Sequence, residues 1–138
     1  MAGDWTRQED ITSTRARLAI TYGDRMAQIV NSSDGESFDA MLPLIDPDRF
    51  VRRGNERDQP MDWPSYRAML EQWNGGSGKY EKHLHRATEA GNVVYLDLDE
   101  FSTAKDGSKT SLRSVSIYEF GADDRIIAVD VCMGFHQR

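Results

Sequence analysis

Arg125-Ile-Ile-Ala-Val-Asp-Val-Cys-Met-Gly-Phe135 reads as one long strand, an apolar run with a single acid, Asp130, in its middle. A carboxylate in such a place is solvated, paired, or held in a pocket where burial raises its pKa. Alternation along a strand divides the run into two sets. Ile127, Val129, Val131 and Met133 share one face and are all apolar. Ile126, Ala128, Asp130, Cys132 and Gly134 share the other, which carries the acid among small side chains. If the second set faces inward, the first is an exposed apolar face. Such a face is usually buried against a second copy, so a homodimer through the outer sheet face is expected.

Working upstream, the same period of two predicts strands over Lys79–Thr88, Val93–Ser102 and Thr110–Phe120. The connections Glu89-Ala-Gly-Asn92, Lys105-Asp-Gly-Ser108 and Gly121-Ala-Asp-Asp124 have the turn residues of hairpins, so the four strands form a meander. Before it the period is helical. Ile11, Leu18, Ala19, Tyr22, Met26, Ile29 and Val30 predict an amphipathic helix from about Gln8 to Asn31. Thr6-Arg-Gln-Glu9 suits its capping box, Gly23 weakens its middle, and Ser32-Ser-Asp-Gly35 ends it. A short second helix carries Phe38, Met41 and Leu42, with Pro43 near its end, and Arg49–Gly54 follows as a short strand. A third helix is capped by Asp62, with Pro64 in its first turn and Trp63, Tyr66, Met69, Leu70 and Trp73 on one broad face. Asn74-Gly-Gly76 stops it. The order predicts an α+β domain, with helices packed on one face of a strongly curved antiparallel sheet. That arrangement leaves a cone with an open mouth.

The chain has 138 residues, enough for one core, and reads as a single domain over 1–138 with residues 1–7 as a tail. A net charge of -6 with scattered basic residues argues against a nucleic-acid surface. No apolar stretch approaches the roughly 20 residues of a membrane helix, and the N-terminus lacks the basic start and apolar stretch of a signal peptide. The single cysteine, Cys132, excludes an internal disulfide; together these features favour the cytoplasm. No Gly-rich phosphate loop, serine nucleophile elbow or dinucleotide fingerprint is present, and no cofactor is expected.

The element order, with Val93-Val-Tyr95, Ser116-Ile-Tyr-Glu-Phe120 and Arg125-Ile-Ile-Ala-Val-Asp130, resembles the nuclear transport factor 2-like superfamily. Within it the nearest look is to the SnoaL-like group of polyketide cyclases, limonene epoxide hydrolases and ketosteroid isomerases. The resemblance spans about Ile11 to Phe135 and implies a cone-shaped, cystatin-like α+β barrel with three N-terminal helices. It implies a water-activating or acid/base role for Asp130, and a place for Glu100 as a second acid. Leu98 stands where the epoxide hydrolases carry an arginine, Arg53 where the isomerases carry their base, and Ser116 where the isomerases carry an oxyanion acid. The family pattern also turns Leu112, Ser114 and Ser116 inward and Arg113 outward, whereas a strict four-residue loop at Gly121–Asp124 would do the reverse.

The candidate site follows. His83 and His85 lie two apart on one strand, so they share a face, and the related pockets often take a histidine from this strand. Either would pair with Asp130 as an acid/base dyad, or both are exposed sheet histidines. His-x-His also fits half a metal site, with Glu100 or His136 as further ligands, but no spacing completes one and no metal is expected. Tyr22, Trp63 and Tyr66 are core-facing helix aromatics that can also border the pocket, stacking on a substrate or donating to an oxyanion. Cys132 reads as a small wall residue. The expected function is cofactor-independent proton transfer on a small, mostly apolar molecule: isomerisation, dehydration, cyclisation or water addition. The alternative is a non-catalytic binding or dimerisation module with the same cone.

Overall fold

The structure is a computed structural model that describes residues 11, 13–32, 37–54, 60–74 and 79–135, with the backbone alone for 73, 74 and 135. Helix α1 (Thr14–Asn31) is followed by a 3-10 helix (Phe38–Leu44), strand β1 (Val51–Gly54) and helix α2 (Trp63–Asn74). The meander β2 (Lys79–Ala90), β3 (Val93–Thr103), β4 (Lys109–Phe120) and β5 (Ile126–Phe135) completes the chain. The expected order and the α+β class hold.

Three details differ. The first helix begins at Thr14, because Ser13 is extended and caps it, its Oγ accepting the Ala16 N–H at 3.2 Å. The capping box at Thr6–Glu9 and the tail 1–7 lie outside the described residues, as do the stop at Ser33–Gly35, the glycines after Asn74, the side chain of Trp73, and His136. The second helix is 3-10, its turns closed by bonds such as Ala40 N–H to Ser37 O at 3.2 Å. The sheet is mixed: its order is β1-β5-β4-β3-β2, and β1 runs parallel to β5.

Helix α2 starts as its sequence predicts. The Asp62 carboxylate accepts the Ser65 N–H at 2.9 Å, and that bond holds its pKa below the usual carboxylate value. Pro64 occupies the first turn. β1 is tied back to this helix entry through paired bonds between Arg52 and Met61, 2.8 and 3.0 Å.

The core lies between the helices and the concave face of the sheet. Ala19, Ile20, Ile29 and Val30 of α1 meet Val94, Leu96, Tyr118, Phe120 and Ile126 of the sheet. Phe50 stands at the head of β1 and is boxed in by Trp63 and Tyr66, with ring centroids 5.5 and 6.1 Å away. Gly23 in α1 has a reason of its own. A Cβ there would come within 3.1 Å of Lys82 Nζ, which crosses the helix to reach Asp24 at 2.5 Å.

A bulge decides which way β5 faces. Phe120 pairs with Ile126 and Glu119 with Ala128, so Ile127 is left over. Ile126 points into the core; beyond the bulge Val129, Val131 and Met133 take over the inward side. This corrects the expected facing. The apolar set lines the interior, and the acid-bearing set of Asp130, Cys132 and Gly134 lies on the convex face. The outer face of β5 is therefore not the apolar surface through which the homodimer was expected to form. The same bulge settles Arg113, which turns outward while Ser114 and Ser116 are buried.

On the convex face, Arg113 grips Asp97 with two bonds, 2.8 and 2.7 Å. Those hydrogen bonds hold the Asp97 carboxyl below its ordinary pKa; partial burial opposes them, and the charges of Arg113, His85 and Arg86 reinforce them. A depressed folded-state pKa stabilises above the unfolded carboxylate value of about 3.9, and the contribution is lost as pH falls through the folded value. Asp97→Asn is expected to lower stability at pH 7 by about 1 kcal/mol, since the half-exposed arginine is partly screened. Urea midpoints measured from pH 7 downward should show the gap between variant and wild type closing below the ordinary carboxylate range. A gap that stays constant at low pH would assign the loss to packing.

Candidate active site

A cavity of about 400 Å³ opens between the helices and the concave sheet face. Its apolar wall comes from Met26 and Val30 on α1, Met69 and Leu70 on α2, and Val131 and Met133 on β5. The β5 residues reach it only because of the Ile127 bulge. The small inward side chain of Ser116 on β4 leaves room beneath them.

Polar groups enter from both edges of the curved sheet. On the β2–β3 side, Glu100 faces inward and its Oε1 accepts the Tyr80 hydroxyl at 2.6 Å. On the β1 side, Arg52 faces inward and its guanidinium lies over the ring of Tyr66, 5.3 Å from the centroid. Tyr22 of α1 meets Tyr118 of β4 edge to face, centroids 5.4 Å apart, between the two stations. Lys82 also lines the cavity, with its ammonium held by Asp24.

The four tyrosines share one electrostatic state. Burial pushes the Tyr22 hydroxyl far above its ordinary pKa, and the neighbouring Tyr66 and Tyr118 add to the shift. Burial raises Tyr118 and Tyr66 too; at Tyr66 the Arg52 charge opposes it. Tyr80 is raised by burial and then by the Glu100 carboxylate it serves. All four remain protonated well past neutrality and act as hydrogen-bond donors. The Tyr22 hydroxyl and Arg52 Nε are closed off from solvent and make no close hydrogen bond among the described residues; the Tyr66 hydroxyl is the polar neighbour of both side chains.

Of the residues singled out in the sequence, Tyr22, Tyr66, Glu100 and Ser116 meet at this cavity. Trp63 is buried but packs behind it, against Phe50 and Tyr66. Asp130, His83 and His85 are elsewhere. Asp130 is bound by Arg53, its partner across the parallel β1–β5 pair, at 2.5 and 3.1 Å on the convex face. His83 is exposed on that face. His85 is the bulged residue of β2, and its Nε2 meets Asp99 Oδ2 at 2.6 Å. Strands β3 and β4 separate these histidines from Asp130, about 14 Å at the usual strand spacing, so the expected dyad does not form. Cys132 is exposed on the convex side rather than in a pocket wall. No cluster of three metal-ligating side chains occurs among the described residues, and no helix there is long and apolar enough to cross a membrane.

Arg52, Tyr80 and Tyr118 were not among the expected site residues. A signal for Arg52 exists. Adjacent strand residues point to opposite faces, so in Val51-Arg-Arg-Gly54 one arginine had to enter the cone.

No family model matches the chain, and no curated protein sequence does. Solved structures match closely in shape. A Shewanella denitrificans protein named as a SnoaL-like polyketide cyclase superposes with a TM-score of 0.74 at 12% identity, over 89% of this chain and 92% of its own. An NTF2-like protein of unknown function from Exiguobacterium gives 0.70 at 13% identity, over 85% and 98%. An LEH-like epoxide hydrolase of Mycobacterium tuberculosis gives 0.64 at 16% identity, over 86% and 84%. With helices closing the concave face of a five-stranded sheet, and with these neighbours, the chain has the cone-shaped nuclear transport factor 2-like fold.

Proposed function

We propose that this protein is an enzyme that moves a proton on a small, largely apolar molecule within the cone, using its own side chains. The observation that carries the reading is one carboxylate, Glu100, facing the same 400 Å³ cavity as four protonated tyrosines and an arginine. Proton abstraction beside a carbonyl or enol needs a base and a place for the negative charge to go. Glu100 supplies the first. Its Oε1 is occupied by Tyr80, which orients it, and Oε2 faces no donor among the described residues. The guanidinium of Arg52 and the protonated hydroxyls of Tyr22 and Tyr66, which border the cavity, supply the second. Returning the proton at another atom gives an isomerisation; losing hydroxide gives a dehydration; attack by a second group gives cyclisation or hydration. Structural neighbours named as a polyketide cyclase and an epoxide hydrolase support the enzyme reading.

A second reading has an observation of its own. The 2.6 Å bond from Tyr80 would equally hold Glu100 as a fixed acceptor in a binding protein. The two separate on one measurement. With 2-tetralone in D2O, followed by proton NMR, the enzyme reading expects saturable deuterium exchange at the α-carbon above the buffer rate. Saturable binding with no exchange above buffer, across 2-tetralone and simple cyclohexanones, would favour the binding module.

A further inference from the structure

Several cations of the described residues are held by a carboxylate: Arg53 by Asp130, Arg113 by Asp97, Arg15 by Asp124, and the cavity lysine Lys82 by Asp24. Arg52 lines the cavity and has no ion pair among the described residues. Its plane is set by Tyr66, on which it lies, and its backbone is fixed by the paired bonds to Met61. Its Nε makes no close hydrogen bond among the described residues, and Tyr66 is its polar neighbour. Among the described residues the one carboxylate in the cavity wall, Glu100, is on β3, three strands away in the sheet order, and is engaged by Tyr80.

We infer that Arg52 is the receptor for a carboxylate on the ligand. The guanidinium edge presents two N–H groups in a fixed plane, and a planar two-oxygen anion is the group that satisfies both. The ligand class is an amphiphilic carboxylate. Its charged head sits on the β1 side, and its apolar body lies against Met26, Met69, Leu70 and Met133. Diffuse attraction would not produce this preference, because the chain carries a net charge of -6. The inference deepens the proton-transfer reading and rests on it only for what happens next. With the head anchored at Arg52, the opposite end of the ligand is presented to Glu100.

The test is calorimetric titration of the full chain with 2-naphthoate and with its neutral isostere 2-naphthamide at one ionic strength. Wild type is expected to bind the carboxylate at least ten-fold more tightly, in line with a hydrogen bond to a charged group. Arg52→Gln should weaken naphthoate about 10- to 100-fold and leave naphthamide within two-fold, and Arg52→Lys should recover part of the preference through charge alone. Equal affinity of wild type for the two probes overturns the inference. So does an equal loss for both in Arg52→Gln, or no binding of either probe to wild type. Glu100→Gln should leave naphthoate binding intact or tighter, since it removes a like charge. Discrimination that survives while exchange chemistry is absent would sink the enzyme reading alone. Exchange without discrimination would sink the carboxylate receptor alone.

Discussion

Glu100→Gln lowers the rate of α-proton exchange by about 10²- to 10⁴-fold, the range expected when a positioned general base is removed. The substitution is chosen because it changes little else. A glutamine carbonyl still accepts the Tyr80 hydroxyl, so the 2.6 Å contact that orients the side chain persists. The side-chain volume is nearly the same, and the position is only partly buried. What is lost is the ability to take a proton. The expected signature is a fall in turnover with little change in ligand affinity, because the interaction removed is one made in the transition state. Exchange rates of variant and wild type within three-fold of each other, with both folded, would remove Glu100 from the chemistry.

Tyr22→Phe separates activity from stability. Turnover is expected to fall about 10²-fold, the usual cost of deleting one donor to a developing oxyanion. The fold should shift by no more than about 1 kcal/mol, since the buried hydroxyl makes no close hydrogen bond and has the Tyr66 hydroxyl as its polar neighbour. The ring remains and keeps its edge-to-face contact with Tyr118. Exchange kinetics and urea unfolding on the same preparation check both halves. A variant that is less stable and equally active would show that the hydroxyl serves packing through Tyr66 rather than the ligand.

Local patterns carried the fold well. The capped start of α2 at Asp62-Trp-Pro64, the change of period at Lys79 and the three hairpin turns were all written in short stretches of chain. What did not show was whatever depends on pairing between distant strands. The run from Ile126 to Met133 is apolar on both sides of Asp130, so nothing in it marks the bulge at Ile127 that reverses the facing. The bulge at His85 is similarly silent, because its flanking residues alternate without a break. Asp130 looked like a pocket acid because its partner, Arg53, is distant in sequence and comes beside it only through a parallel pairing. At the site, Tyr22 and Tyr66 were legible as inward residues of strongly patterned helices, and Glu100 through the family resemblance. Arg52 was hidden by its neighbour: two consecutive arginines read as a surface run until strand alternation is applied to them.

That parallel edge has a mechanical consequence. β1 is four residues long, lies between β5 and the bridge to Met61, and presents Arg52 to one side of the sheet and Arg53 to the other. The Arg53–Asp130 clasp on the convex surface therefore anchors, from outside, the same short strand that carries Arg52 into the cone. A substitution at Asp130, wholly outside the cavity, is expected to reach the cavity arginine through this shared strand without altering any wall of the cavity.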